Sequence, residues 1–195
     1  MESSFFEFDK ILLLGSKSPR RKEIIEQMGI PYRTVDISFD ESKWKEKNAL
    51  TLSRAKMMAY KSPLDENEIL LTADTLVIAD NRVLGKPADN REAMEMLERL
   101  SGGKHRVVTG VCMKSAQKET CFEDATMVYF RELTREEMCY YIREYGPLDK
   151  AGAYGIQEWI GLTGIYRIEG NYHTVVGLPA SRVWEEWLRF NDFVF

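Results

Sequence analysis

The feature that most constrains this chain is a short apolar run that changes abruptly into a helix start, at residues 11–21. Isoleucine and three leucines precede Gly15, which suits a buried strand. Ser18 and Pro19 then stand where a helix N-cap and a first helical residue are preferred, and Gly29 is placed to end the helix. The sequence therefore predicts a strand, a polar turn and a helix N-terminus in immediate succession.

Two arginines, Arg20 and Arg21, fall in the first turn of that predicted helix. Cations are unfavourable at the positive end of a helix dipole unless an anion is expected there. Helix N-termini bind phosphate through backbone N–H groups, and arginine binds it with two parallel donors. One interpretation of the turn is a phosphate site; the other is that two surface arginines merely start a helix.

The most apolar segment, residues 69–79, predicts a central strand with Asp74 in its middle. A buried carboxylate is costly unless it is paired, hydrogen-bonded or bound to a metal, which favours a functional role over a turn cap. Residues 80–82 predict a hairpin tip, and the returning chain brings Lys86 back to about the level of Asp74. Lys86 is a second candidate phosphate ligand, or an ordinary solvent lysine.

Predicted helices and strands alternate along the rest of the chain. Residues 147–157 have no core-forming period, which is typical of a surface loop or a binding loop. Helices are predicted over residues 48–61, 89–100 and 134–145 and after Pro179, and strands over residues 32–37, 106–113, 121–130, 164–168 and 172–176, the last two as a hairpin.

Composition narrows the classes of partner and compartment. A chain of 195 residues with a net charge of -4 lacks the basic surface that nucleic-acid or membrane binding needs. Its three cysteines fit neither a zinc template nor a complete disulfide set, which predicts a reducing compartment. The start of the chain lacks signal-peptide character and no apolar run spans a membrane, so a cytoplasmic protein is expected.

The C-terminal segment is rich in aromatic side chains. These side chains indicate either a homodimer contact or a tail folded onto its own core. They are Trp184, Trp187, Phe190, Phe193 and Phe195.

The charged candidates suggest one site with phosphate-transfer chemistry. They are Arg20, Arg21, Lys56 and Lys86 together with Glu41 and Asp74. Carboxylates without histidine or cysteine suit Mg²⁺ or Mn²⁺, and a metal between carboxylate and phosphate would activate water. This points to attack of water on a phosphoryl group. Which phosphate is attacked stays open, as does a kinase-like transfer, although the phosphate-binding loop of many kinases is absent.

Six motifs in one order resemble the Maf family of nucleoside triphosphate pyrophosphatases. They lie at residues 16–21, 73–75, 85–87, 100–102, 149–157 and 176–179. The likeness runs from about Ile11 to the last helix. It implies one α/β domain over residues 1–195, with a mixed sheet and two lobes around a central cleft, similar to the inosine triphosphate pyrophosphatases.

The resemblance also implies an activity and residue roles. Such a protein hydrolyses a nucleoside triphosphate to the monophosphate and pyrophosphate with a divalent cation, Mg²⁺ or Mn²⁺, by water attack at the α-phosphate. Asp74 is then the proton acceptor and a metal ligand, with Glu41 near the metal and Lys56 and Lys86 at the phosphates. The phosphate-cradling turn comprises Ser16, Ser18, Arg20 and Arg21.

The resemblance also implies a base preference, which depends on three positions. Arg20, Thr75 and Gln157 match the branch that acts on dTTP and UTP, whereas a sister branch linked to 7-methyl-GTP carries tryptophan, glutamine and glutamate there. The amide of Gln157 offers a donor and an acceptor, which suits a uracil or thymine edge. Two departures are Lys17, where many members have a small residue, and Glu158-Trp159-Ile160, which replaces a more glycine-rich run.

Two other functions stay open at the level of sequence. One is a nucleotide-binding regulator of cell division, since the Maf family is also associated with division arrest. The other keeps the pyrophosphatase chemistry and changes the substrate to 7-methyl-GTP or another purine nucleotide. Asp74 favours an enzyme, because a pure binding module has little reason to keep a carboxylate beside a triphosphate.

Overall fold

A mixed sheet with helices packed on both faces forms the protein, as the computed structural model describes it for residues 8–40 and 48–193. Its seven strands are β1 (Ile11–Leu14), β2 (Tyr32–Thr34), β3 (Glu68–Ala79), β4 (Arg82–Leu84), β5 (Lys104–Lys114), β6 (Glu119–Phe130) and β7 (Ile165–Glu169). The helices are α1 (Pro19–Gln27), α2 (Ala49–Ala59), α3 (Asn90–Leu100), α4 (Arg135–Tyr145), α5 (Trp159–Gly164), α6 (Tyr172–Val176) and α7 (Ala180–Phe190). The predicted mixed α/β class is confirmed. No helix among the described residues is long and apolar enough to cross a membrane.

The strand order is β2-β1-β3-β5-β6-β7, and β4 pairs with the end of β3. β1 runs parallel to both β2 and β3, whereas the remaining pairs are antiparallel. Parallel pairs need a crossover, and α1 supplies the first one directly after the polar turn. The strand, turn and helix predicted at the start of the chain are thus confirmed.

The site is positioned by an interruption along one edge of β3. β5 pairs with β3 along nearly its whole length, from Leu70 to Ile78. On the opposite edge, β1 pairs only as far as Leu71, and β4 begins only at Val77. Among the described strands none pairs with residues 72–76 on that side, and we call these residues the open edge. Asp74 lies at its centre.

The hydrophobic core is divided at the same place. On one face of β3, Ile69 and Leu71 belong to a cluster with residues of α1 and α7. Further along the same face, Val77 and Ala79 belong to a second cluster with residues of α3 and α4. Side chains alternate between faces along a strand, so Thr75 lies on this face between the two clusters. The division is consistent with the two expected lobes.

The opposite face of β3 is covered by α2, which approaches the sheet very closely at Gly110. Gly110 pairs with Asp74 in the strand register. A Cβ atom on Gly110 would lie 2.4 Å from the backbone of Ala49 and Leu50, at the start of α2. Only glycine therefore lets this helix rest directly on the strand beside Asp74.

Several predicted element boundaries agree with the structure. Asp89 caps α3 by accepting a hydrogen bond from Glu92 N, and α4 begins with a capping box at Thr134. Asp80 and Asn81 form the hairpin tip with positive φ angles of 49° and 58°, which suits a two-residue turn.

The predicted strand over residues 172–176 is wrong, because Tyr172–Val176 forms the short helix α6. Asn171 caps it by accepting from His173 N. The carbonyl of Thr174 accepts a hydrogen bond from the Thr109 hydroxyl at 2.8 Å. Local β-branched composition is overridden here by a cap and by contacts with β5.

Cysteine pairing also differs from the sequence-based expectation. Cys112 and Cys121 face each other on β5 and β6 and form a disulfide, while Cys139 is free. An odd number of cysteines excludes a complete set of pairs but not a single pair. The directly opposed register, which spacing alone does not reveal, brings these two together.

The aromatic C-terminal segment folds onto the protein's own core over its described part. Trp187 and Phe190 are buried in the cluster shared with α1. The ring of Phe8 packs edge-on against Trp187 and Phe193, with centroids 5.3 and 6.0 Å apart. Phe195 lies outside the described residues. A homodimer contact stays a prediction.

The close approach at Gly110 can be tested by substitution. We expect Gly110→Ala to lower the free energy of unfolding by about 1–3 kcal/mol, because the new methyl group must displace helix backbone. Gly103→Ala is the matched control, since its Cβ would meet only ordinary contacts at 3.5 Å or beyond. Equal unfolding midpoints for the two variants in urea would contradict the packing described here.

Candidate active site

A cavity of about 760 Å³ lies over the open edge of β3, a size suited to a small-molecule ligand. Its walls come from both sides of the divided core. They include residues of the turn after β1, the α2 face, the segment after β4, the 149–157 loop and the end of α6. The sequence-predicted residues that line it are Ser16, Ser18, Arg20, Arg21, Lys56, Asp74, Thr75, Lys86 and Gln157.

The turn after β1 is tightly fixed. Gly15 N donates to the carbonyl of Leu71, at the start of the open edge, at 2.8 Å. The Ser16 hydroxyl accepts a hydrogen bond from Ser18 N at 3.3 Å. Ser18 occupies the predicted N-cap position of α1, but its side chain makes no capping hydrogen bond. Residues 18–21 line the cavity, so the Ser18 hydroxyl and the first N–H groups of α1, which follow Pro19, are potential anion donors.

Arg21 joins three segments of the chain around the open edge. Its Nε donates to the Gly177 carbonyl at 2.8 Å and its Nη2 donates to the Thr75 hydroxyl at 3.1 Å. Its Nη1 donates to the Ala73 carbonyl at 2.8 Å and to Ser16 Oγ at 3.1 Å. Oxygen atoms of the described residues thus take at least four of its five N–H donors. The structure gives Arg21 a fixing role that the sequence did not indicate, and its phosphate contact stays a prediction.

Thr75 continues this network into the interior. Its hydroxyl is 2.9 Å from that of Thr109, which donates its only proton to the Thr174 carbonyl. Thr75 must therefore be the donor to Thr109, while it accepts from Arg21. Toward a ligand, Thr75 can present an acceptor or its methyl group but not a second proton.

Arg20, the residue before Arg21, is held by a different segment. Its Nη1 pairs with Asp149 Oδ2 at 2.9 Å. Burial raises the pKa of Asp149, but hydrogen bonds from Lys150 and Arg20 outweigh burial and leave that pKa below its ordinary value. The Asp149 carboxylate thus holds the Arg20 side chain, which lines the cavity, through the single nitrogen atom Nη1 of the guanidinium.

Asp74 forms an ion pair with Lys56 at the floor of the cavity. The two charged atoms lie 2.5 Å apart, and the carboxylate side chain is 11 % exposed. Pairing offsets the cost of placing a carboxylate in this apolar strand. The structure therefore brings together two residues that are 18 positions apart in the sequence.

The relation of α2 to β3 explains this pairing. Ser53 Oγ donates to the Thr72 carbonyl at 2.9 Å, and Thr72 Oγ1 donates to the Ser53 carbonyl at 2.8 Å. Lys56 follows Ser53 by three residues on the helix, and Asp74 follows Thr72 by two on the strand. Each pair shares one face of its element, so the two contacts lie side by side.

Besides the Ser18 hydroxyl, two polar side chains that line the cavity have no hydrogen bond or ion pair with any part of the chain that the structure describes. These are the ammonium of Lys86 and the amide of Gln157, both of which are exposed. Lys86 follows β4 by two residues, where the register places it near the level of Thr75. Both groups are therefore available to a ligand.

Of the two predicted metal ligands, Asp74 and Glu41, the structure describes only Asp74. Glu41 lies outside the described residues, and no group of three or more potential metal ligands occurs among those that are described. Asp74 nevertheless fits a hard cation, because Lys56 pairs with only one of its two carboxylate oxygens. Mg²⁺ commonly uses one or two protein carboxylates together with substrate phosphates and water. This donor set suits a cation that arrives with a triphosphate.

Sequence reasoning missed a polar network behind the 149–157 loop. Lys150 is buried, with Nζ 2.8 Å from Asp149 Oδ1 and 3.2 Å from Glu158 Oε1. Glu158 also accepts a hydrogen bond from the hydroxyl of Tyr141. Burial, and then this bond, raise the pKa of Tyr141. Glu158 stood out only as a departure from the family pattern.

A second buried contact fastens the same loop. The Nε2 atom of His105 lies 2.7 Å from the Tyr154 hydroxyl. Both side chains are buried, and burial lowers the pKa of His105 to about 4 while it raises that of Tyr154. His105 is therefore neutral at physiological pH, which is consistent with the structural role that is usual for a lone histidine.

Comparison with known proteins gives a consistent result. Residues 11–189 match the family described as Maf-like protein. A dTTP/UTP pyrophosphatase of Bacteroides fragilis is 42% identical over 180 residues, covering 90% of this chain and 93% of that protein. One of Christiangramia forsetii is 44% identical over 178 residues, or 89% and 91% of the two chains.

A solved structure, that of the Ham1 protein of Staphylococcus aureus, is more distantly similar. The likeness has a TM-score of 0.41 and 12% identity, and it covers 62% of this chain and 72% of that one.

The His105 contact gives the fold a defined acid sensitivity. The pKa of His105 is about 4 in the folded protein and near 6.5 when the chain is unfolded, so the unfolded state binds the proton more readily. Its contribution to stability is complete above pH 6.5 and is lost as the pH falls to 4. By linkage this amounts to about 3 kcal/mol.

We expect His105→Gln to remove that contribution. Urea unfolding at pH 7 and pH 4 should show the unmodified protein losing about 3 kcal/mol more than the variant. An identical pH dependence of both proteins would contradict the assignment.

Proposed function

Because this chain belongs to the Maf family, we propose that it is a nucleoside triphosphate pyrophosphatase that acts on dTTP and UTP. Modified pyrimidine nucleotides are further candidate substrates. The products are the nucleoside monophosphate and pyrophosphate. The observation that carries this proposal is Asp74, a paired carboxylate in the open edge of β3 and at the floor of a cavity with cationic walls.

The triphosphate would bind along the cavity between the turn after β1 and Lys86. The N–H groups at the start of α1 and the Ser18 hydroxyl would donate hydrogen bonds to phosphate oxygens. Lys86 and Arg20 would add positive charge, which this chain of net charge -4 supplies locally rather than over its whole surface. Ser16 and Arg21 would keep the turn in shape through their contacts with each other.

Water would then attack the α-phosphate, with Asp74 as the proton acceptor. The water proton passes to the carboxylate, a new oxygen–phosphorus bond forms, and the bond to the bridging oxygen breaks, so that pyrophosphate leaves. Lys56, beside Asp74, would orient the carboxylate and offset negative charge near the phosphates. A divalent cation, held by Asp74, the phosphates and Glu41, would supply further charge neutralisation when bound.

Base selection would come from Gln157 with Arg20 and Thr75. The side-chain amide of Gln157 can accept from N3–H of uracil or thymine and donate to O4. Cytosine presents the reverse pattern at these atoms, which the same amide matches only after a 180° flip, so discrimination against cytosine would depend on the orientation in which the Gln157 amide is held. This assignment rests on the match to the dTTP/UTP branch and on the availability of the Gln157 amide. A cytoplasmic location stays a prediction.

The role of Asp74 predicts a specific loss of activity. We expect Asp74→Asn to reduce pyrophosphate release from UTP by about a hundredfold or more, because an amide cannot accept the water proton. Asp80→Asn is the matched control: it makes the same charge change at the exposed hairpin tip, where asparagine tolerates the positive φ. Comparable rates for Asp74→Asn and the unmodified protein would contradict the mechanism.

The metal requirement has its own test. We expect a chelator to abolish pyrophosphate release and either Mg²⁺ or Mn²⁺ to restore it. The thermal unfolding midpoint should stay constant, because the donor set at Asp74 is completed by substrate rather than by the fold. Full activity in the chelator would contradict the proposed cation.

A further inference from the structure

We propose that Glu158 is a positioning residue for base selection, and that it holds Gln157 and Arg20 in register through one buried network. This inference rests on the proposed function, because it concerns how that site distinguishes nucleobases. Glu158 is part of the departure from the glycine-rich run that the resemblance predicts. The chain therefore has a side chain at a point where such a loop would otherwise depend on its backbone alone.

Glu158 directly follows Gln157 in a short turn. Ile156 is buried in the core cluster shared by α3 and α4, whereas Gln157 is exposed in the cavity. Glu158 follows at once, and its N–H donates to the Gly155 carbonyl at 3.1 Å. Gln157 thus extends from a short turn whose two flanking residues are both held.

The side chain of Glu158 turns inward, toward Tyr141. Glu158 is the N-cap residue of α5, yet its carboxylate makes no capping hydrogen bond. It accepts instead from the Tyr141 hydroxyl, which in turn accepts from Gly155 N at 3.0 Å. A Cβ atom on Gly155 would lie 2.8 Å from the Glu158 carboxyl carbon, so the carboxylate occupies the space that a side chain at position 155 would need. Tyr141 and Glu158 together clamp the turn that presents Gln157.

The network continues from Glu158 to Arg20. The other oxygen of Glu158 lies 3.2 Å from the buried ammonium of Lys150, whose side chain is 8% exposed. Lys150 contacts one oxygen of Asp149, and the other oxygen of Asp149 holds Arg20. The charges alternate along Glu158, Lys150, Asp149 and Arg20, so each group fixes the next.

This arrangement has a consequence for specificity. Two of the three residues assigned to base selection, Gln157 and Arg20, lie at the two ends of a single chain of contacts that passes through Glu158. When Glu158 is neutralised, Lys150 keeps only the Asp149 carboxylate, which it shares with Arg20. The turn that presents Gln157 is also held less firmly, because the hydrogen bond from Tyr141 is weakened. The reacting end of the cavity, at Asp74 and Lys56, shares none of these contacts among the described residues. The part of base selection that Gln157 contributes is therefore separable from the chemical step.

The test measures kcat and KM for UTP and CTP in Glu158→Gln. We expect kcat for UTP to stay within about twofold, KM for UTP to rise about tenfold, and the UTP-to-CTP ratio of kcat/KM to fall about tenfold. Glu185→Gln, the same change on the exposed side of α7, is the control and should alter none of these. Tyr141→Phe, which removes only one hydroxyl, should shift KM and the ratio in the same direction.

Coupling to Gln157 separates positioning from a general loss of structure. In a Gln157→Ala background, we expect Glu158→Gln to lower the UTP-to-CTP ratio by less than it does in the unmodified protein, because of the two residues it positions only Arg20 remains. An unchanged ratio in both Glu158→Gln and Tyr141→Phe would overturn the inference. Equal losses of kcat for both nucleotides with a constant ratio would also overturn it.

Failure of the proposed function would be visible separately. If the unmodified protein released no pyrophosphate from either nucleotide, the proposed activity would fall. The inference would then be tested by the ratio of UTP and CTP dissociation constants from calorimetry, in the same variants. A ratio insensitive to Glu158→Gln would overturn it there too.

Discussion

The interruption of strand pairing along one edge of β3 is the constraint on which the rest of this structure depends. β1 stops pairing at Leu71 and β4 starts at Val77, so residues 72–76 keep one edge free of any described strand. Free backbone groups in an interior are costly unless they find partners. Arg21 satisfies the Ala73 carbonyl, and the remaining edge forms the floor of the cavity. The same interruption divides the core into two clusters with Thr75 between them, while Asp74 faces α2 on the other side of the strand.

Two helices bring charge to this edge for different physical reasons. α1 starts at the edge because the turn after β1 is tied to Leu71, which aims its N-terminus into the cavity. α2 lies against the other face because Gly110 has no side chain and because Ser53 and Thr72 exchange hydrogen bonds. Lys56 reaches Asp74 as a result. The site thus follows from how the sheet is interrupted and covered, more than from any one motif.

Local signals were sufficient for much of the fold. The apolar run of β3, the hairpin tip at Asp80 and Asn81, and the caps at Asp89 and Thr134 act over a few residues, so they can be read from sequence. The short helix α6 could not, because its residues favour a strand and contacts with β5 decide its shape. The disulfide escaped prediction for a similar reason, since it depends on strand register.

The candidate site divides in the same way. The resemblance picked out the residues that line the cavity, but it did not show that Arg21 spends most of its donors on protein oxygens. Nor could it reveal that Lys150 and Glu158, eight residues apart, pair behind the loop. Such contacts link distant segments and leave no periodic pattern. The places where sequence reasoning failed are therefore mostly the places where the site is held in shape.

The mechanism proposed for the open edge of β3 is water attack on the α-phosphate of a pyrimidine nucleoside triphosphate. Hydrolysis of UTP in water labelled with a heavy oxygen isotope, followed by mass spectrometry of the products, tests it most directly. Attack at the α-phosphate leaves one labelled oxygen in the monophosphate and none in the pyrophosphate. Label in pyrophosphate, or in free phosphate released from the γ-position, would contradict it.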